Sequence, residues 1–166
     1  GLGGTPGGGI GAWLAVLGTG QAIGVATLGF GLAGVGTKRL VKHPKGHLRD
    51  SGLLHNLLRI RSMDELLGHP HMGNLWEGFV IEQILRQLAH AGETARAYHY
   101  RTGAGAEVDL VLEGGFGTIP VEIKYAETGD PRKWRALRDF VAEQSCPFGI
   151  LIDNGTGVRW EKRHQE

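Results

Sequence analysis

The chain reads as an α/β domain, a mixed sheet flanked by helices in the order helix, strand, strand, strand, helix, strand. Three observations predict this. Met72–Ala91 is one long amphipathic segment; glycine-punctuated strand-like runs follow from Arg96 to Tyr125; and a helix-start signal at Asp130-Pro131 separates those runs from a last apolar stretch, Phe148–Ile152. Strands joined by short turns pair antiparallel, whereas a strand reached through a helix returns parallel, so the sheet should be mixed.

The first thirty-seven residues stand apart. They carry no charge and are dense in glycine, whereas charge and apolar residues alternate from Lys38 onward. Three readings are open for them. Ile10–Val35 is uncharged and long enough for a membrane span, although recurrent glycine lowers its helix propensity. A flexible low-complexity leader is the second. The third, which we prefer, is a truncated or out-of-frame segment that joins the true reading frame near Thr37. The chain starts without Met and is read as a fragment or processed product, with a leader at 1–37, a domain at 38–160 and a charged tail at 161–166.

In the domain, Lys38–Arg49 is a basic strip (Lys38, Arg39, Lys42, Lys45, Arg49) broken by Pro44 and Gly46; it is either a solvated edge or a phosphate-contacting surface. Ser51–Ile60 carries Leu53, Leu54, Leu57 and Leu58 at helical spacing, capped by Asp50 or Ser51. Met72–Ala91 presents Leu75, Trp76, Phe79, Val80, Ile84 and Leu88 as one apolar face, with Asn74 as N-cap and Gly92 as the stop. Strands are expected at Arg96–Arg101, Glu107–Leu112 and Ile119–Tyr125, the last with Pro120 near its start. Asp130 then caps a helix with Pro131 in its first turn and Trp134, Leu137, Phe140 and Val141 on its inner stripe. Phe148–Ile152 is a short strand, and Val158–Trp160 could add another.

Length and charge bound the function. A chain of 166 residues suits one domain with extensions, and a net charge of +1 confines any nucleic-acid surface to a local patch. The single Cys146 excludes an intramolecular disulfide and fits a reducing, cytoplasmic setting. The histidines form no metal-ligand motif, and no Gly-Lys-Ser/Thr phosphate loop is present.

The residues that carry chemistry are acids and a lysine on neighbouring strands. In Glu107-Val108-Asp109 the two acids share a strand face; in Glu122-Ile123-Lys124 the acid and the amine do. If these strands pair in register, Asp109 and Glu122 meet with Lys124 beside them. Close carboxylates repel, and a bound divalent cation removes the conflict. A nearby lysine can orient or deprotonate a metal-bound water or stabilise developing charge. The alternative is plainer: an amphipathic hairpin whose charged face is solvated, its Glu122–Lys124 pair worth little.

With Lys38-Arg39-Leu40-Val41-Lys42, Arg49-Asp50-Ser51-Gly52-Leu53-Leu54, Leu75-Trp76-Glu77-Gly78-Phe79-Val80, Tyr100-Arg101-Thr102, Glu107-Val108-Asp109 and Val121-Glu122-Ile123-Lys124-Tyr125, the chain resembles the PD-(D/E)XK superfamily. More narrowly it resembles the domain of unknown function 4143, found at the C-terminus of AAA-type ATPases; the likeness runs from about Lys38 to Ile152. The resemblance implies a restriction-endonuclease-like core and a divalent-metal-dependent DNA nuclease-like module, or else a catalytically inactive nucleic-acid-binding or regulatory module of such an ATPase. Asp109, Glu122 and Glu77 would hold Mg or Mn, and Lys124 would be the catalytic lysine. Glu77 could instead complete a capping box with Asn74. Lys38, Arg39, Lys42, Lys45, Arg101 and Tyr125 would contact nucleic acid, while packing is the expected role of Tyr98 and Tyr100. The implied partners are DNA and an ATPase domain in a longer parent, and a membrane is not expected. Ala106 stands where many superfamily members introduce the acidic strand with proline.

Overall fold

A computed structural model describes residues 13–18, 21–30, 45–126, 134–155 and 158. Its elements are β1 (Trp13–Gly18), β2 (Gln21–Phe30), β3 (Lys45–Leu48), α1 (Ser51–Leu57), α2 (Met63–Leu67), α3 (Met72–His90), β4 (Arg96–Arg101), β5 (Glu107–Gly114), β6 (Gly117–Ile123), α4 (Arg135–Glu143) and β7 (Ile150–Ile152). Four strands, β4-β5-β6-β7, run side by side to one edge of the sheet. The first two pairings are antiparallel and β6–β7, connected through α4, is parallel. The sheet is therefore mixed, as the short turns and the helical crossover require.

β2 extends the sheet beyond β4 through Gly29↔Tyr98 and Phe30↔His99, and β1 and β3 each pair antiparallel with β2. The sequence reading placed no strand between residues 13 and 30; glycine there masked the signal. No helix among the described residues is long and apolar enough to cross a membrane.

Two apolar layers cover the sheet. On the α3 side, Val80 and Ile81 pack on Leu110, Leu112, Val121 and Ile123, with Trp76, Ile84 and Leu88 around them. On the α4 side, Leu137 and Phe140 pack on Tyr98, Tyr100, Val108 and Val111. Tyr100 meets Phe140 edge to face at 4.8 Å, so both tyrosines are core residues.

α3 departs from its expected outline in two ways. It starts at Met72, off the turn at Pro70, and its N-cap is His71, whose carbonyl accepts from Leu75 N–H. Asn74 thus lies within the first turn, and the capping-box role considered for Glu77 falls away. The buried face also turns further round than the leucine spacing suggests. Phe79 is 44 % exposed, while Ile81, Glu77 and Glu82 are buried. The reason is that α3 packs on two partners, the sheet and the β3–α1 segment. Gly78 allows the latter approach, since a Cβ there would lie 3.2 Å from His47 Nδ1. The helix stops as expected: Gly92 adopts φ 73°, and Glu93 N–H reaches back to Leu88 C=O.

Asp50 caps α1 by accepting from Leu53 N–H. That helix is shorter than its leucines imply. Arg59 turns left-handed at φ 58° and leaves Leu57 63 % exposed. α2 was not legible as a separate helix; Ser62 caps it through Glu65 N–H, and Glu65 returns the bond to Arg61 N–H. The proposed Asp130 cap, Pro131, most of Val158–Trp160 and the 161–166 tail lie outside the described residues.

Candidate active site

β5 carries one residue more than β4 at the point where the acids sit. Tyr98 faces Val111, but Tyr100 faces Val108, so Asp109 and Leu110 together stand opposite His99. This is the two-against-one count of a β-bulge. It lets Leu110 enter the core under α3 while its neighbour Asp109 is aimed at the charged cluster. The β5–β6 ladder runs from Gly114↔Gly117 to Leu110↔Val121, and beyond it the Asp109 side chain takes over: Oδ2 accepts from Ile123 N–H at 2.8 Å. A strand pair thus ends in a side-chain-to-backbone bond that fixes the carboxylate.

Asp109, Glu122 and Lys124 converge. Lys124 Nζ lies 2.5 Å from Glu122 Oε1 and 3.6 Å from Asp109 Oδ2. Lys124 is just past the end of β6, held by its N–H bond to Ile152 C=O. Asp109 and Glu122 are 6 % and 5 % exposed, which removes the solvated-face alternative. A charged hairpin face would keep its carboxylates in water.

Glu77 arrives from α3 and joins the same cluster through Lys45. Lys45 Nζ lies 2.6 Å from Glu77 Oε1, 3.3 Å from Glu107 Oε1 and 3.9 Å from Asp109 Oδ1. The basic strip was read as phosphate-contacting or solvated, but its Lys45 turns inward to three carboxylates. His99 Nε2 lies 2.7 Å from Glu107 Oε1, and Arg101 Nη1 approaches Glu107 Oε2 at 3.9 Å from the solvent side. Tyr125 leans on Trp76, ring centres 6.0 Å apart. Lys38, Arg39 and Lys42 lie outside the described residues.

The electrostatics follow from this crowding. Burial, then the Asp109 charge, raises Glu122 to about 7 even though Lys124 and the Asp109 amide oppose the rise. Burial and Asp109 also raise Glu77 against the pull of Lys45. Burial alone would raise Glu107, but its bond to His99 and the Lys45 charge bring it below the ordinary value. Burial would depress both lysines, yet Glu77 for Lys45 and Glu122 for Lys124 hold them above theirs. Burial with the Lys45 charge pushes His47 down to about 4, so it stays neutral and adds no cation beside Glu77. Glu77, Glu107, Asp109 and Glu122 thus face two ammonium groups, with Arg101 at the rim. When all four carboxylates are ionised, negative charge is in excess.

Sequence reasoning missed the roles of His47, His99 and Glu82. His99 was recoverable, since it alternates with the core tyrosines and must face away from them. Glu82 was partly so, through its i,i+4 partner Arg86, Nε to Oε1 at 2.8 Å. Its second partner was not: Arg49 forks onto it from just past β3, with Nε–Oε2 and Nη2–Oε1 both 2.9 Å. Among the described residues no three His, Cys, Asp or Glu side chains stand as a ready metal-binding group. The carboxylates are gathered around Lys45 and Lys124 instead.

The family model described as "Domain of unknown function (DUF4143)" matches residues 72–165. Two curated relatives, an uncharacterised protein of Mycobacterium bovis and one of Mycobacterium tuberculosis, are each 38 % identical over 106 residues. The match covers 64 % of this chain and 23 % of each relative, so the chain spans about a quarter of their length. No solved structure matches it significantly.

Proposed function

The chain belongs to the DUF4143 family, which is named for no activity, and we propose that in it Asp109, Glu122 and Lys124 form a divalent-metal phosphodiesterase site acting on nucleic acid, DNA first. The observation that carries this reading is the meeting of two buried carboxylates and an amine beside the bulge in β5. Keeping Asp109 and Glu122 together costs stability, because burial and mutual repulsion penalise ionised Glu122. A divalent cation would offset that penalty.

The donors fit such an ion in kind. Carboxylate oxygens are the hard ligands Mg and Mn prefer. Glu122 Oε2 is buried with no hydrogen-bond partner among the described residues, which leaves a lone pair to donate. Asp109 Oδ1, Glu122 Oε2 and Glu77 would hold the ion, whose chemistry there is to polarise a phosphodiester and acidify a water. Asp109 is oriented by Ile123 N–H. Lys124, kept as an ammonium by Glu122, would stabilise negative charge developing on the phosphate or orient the attacking water. The order of helix, three strands, helix and strand, with these residues at the end of the central hairpin, supports a restriction-endonuclease-like core.

A second reading has its own observation. Lys45 and Lys124 already neutralise part of the acid cluster, as an inactive module would require. Such a module would bind nucleic acid or regulate an ATPase domain of a longer parent without cutting. The test is cleavage of labelled single- and double-stranded DNA in Mg or Mn. The nuclease reading expects products that disappear with chelator and in Lys124→Ala and Glu122→Ala variants that still fold. Salt-sensitive binding without cleavage would select the second reading.

A further inference from the structure

Lys45 Nζ stands between Glu77 and Asp109, 2.6 Å from the first and 3.9 Å from the second. Its ammonium lies within ion-pair range of carboxylates from two elements: Glu77 of α3 and both Glu107 and Asp109 of β5. It comes from a third, the four-residue strand β3. Its side chain is 30 % exposed, and Lys45 also lines a cleft of about 580 Å³ between β3, α1 and α3, whose charged lining includes Asp50 and Glu82 beside Arg49 and Arg86. The side chain therefore has somewhere to go. Three carboxylates each attract the one ammonium, and the same oxygens would attract a divalent cation standing in its place.

We propose that Lys45 is a tethered counter-ion, competing with a divalent cation for Glu77 and Asp109 and keeping the acid cluster closed to metal until it swings into the adjoining cleft. This rests on the reading of the cluster as a metal site and adds a gate to it. Competition between two cations for the same oxygens is a coupling free energy, and removing one competitor tightens the other by a corresponding factor. The positive charge of Lys45 is what matters, so an arginine should substitute for it and a neutral side chain should not.

The experiment is a calorimetric titration of the full chain with MgCl2, comparing wild type, Lys45→Met, Lys45→Gln and Lys45→Arg. The two neutral variants should bind Mg about tenfold more tightly than wild type, and Lys45→Arg should bind no more tightly. Thermal melting with and without Mg guards against a folding defect: in chelator the neutral variants should melt lower than wild type, because Glu77 loses its partner, and Mg should raise them more than it raises wild type. Equal or weaker Mg binding by both neutral variants overturns the gate and leaves the metal site standing. No Mg binding by any form overturns both.

Discussion

Replacing Glu122 with Gln should make the protein more stable at alkaline pH and leave it unchanged in acid. Burial and Asp109 lift the folded-state pKa of Glu122 from 4.5 to about 7. Protonation therefore favours the fold. That advantage is complete below the unfolded value and is lost as pH rises through about 7. At about 1.4 kcal/mol per pH unit, the gap is worth roughly 3 kcal/mol. Glu122 is buried, so solvent screening takes little from this figure. Gln keeps the shape and can still accept from the Asp109 amide, while partly exposed Lys124 regains water. Urea denaturation of both forms in chelator, from pH 4 to pH 9, isolates the effect because the other groups titrate in both. The two stabilities should coincide near pH 4 and separate by roughly 3 kcal/mol above pH 8 with the variant on top. A difference that stays flat with pH, or one that favours wild type as pH rises, would refute the account of a strained, buried carboxylate.

Three further perturbations test other parts of the structure. Asp109→Asn should bring the Glu122 pKa down from about 7 without restoring it to 4.5, since burial is the larger cause and the Asp109 charge the second; carboxyl NMR titration reads this directly. Arg49→Ala removes the fork on buried Glu82 while its bond to Arg86 remains, at a cost of about 1–2 kcal/mol by chemical denaturation, given that Arg49 itself is partly exposed. Phe140→Ala empties the packing of α4 against Tyr100 and Val108 and should cost about 3–5 kcal/mol; a loss below 1 kcal/mol would mean that α4 is not anchored there.

How much of this could be read from the sequence depended on whether a local pattern set the outcome. The long helix, the strands β4 to β7 and the parallel return after α4 follow from spacing, glycine turns and the crossover rule, and they appear as expected. The convergence of Asp109, Glu122 and Lys124 was legible because strands joined by a short glycine-rich turn are expected to pair, and the register then brings them together. What alternation could not show was the bulge: one extra residue at Asp109–Leu110 changes which side chains share a face. The inward turn of Lys45 was equally hidden. Nothing near it in sequence distinguishes a phosphate-contacting lysine from one held by Glu77, thirty-two positions further on. Phe79 misled in the opposite direction, because an apolar residue at helical spacing lands in solvent when the helix is turned to bury Glu77 and Glu82.

Divalent-metal binding measured by calorimetry on wild type and Asp109→Ala goes to the centre of the account. A Mg or Mn site present in the wild-type chain and lost in a folded Asp109→Ala variant is the result it predicts. Equal binding by the two, or none by either, would contradict it.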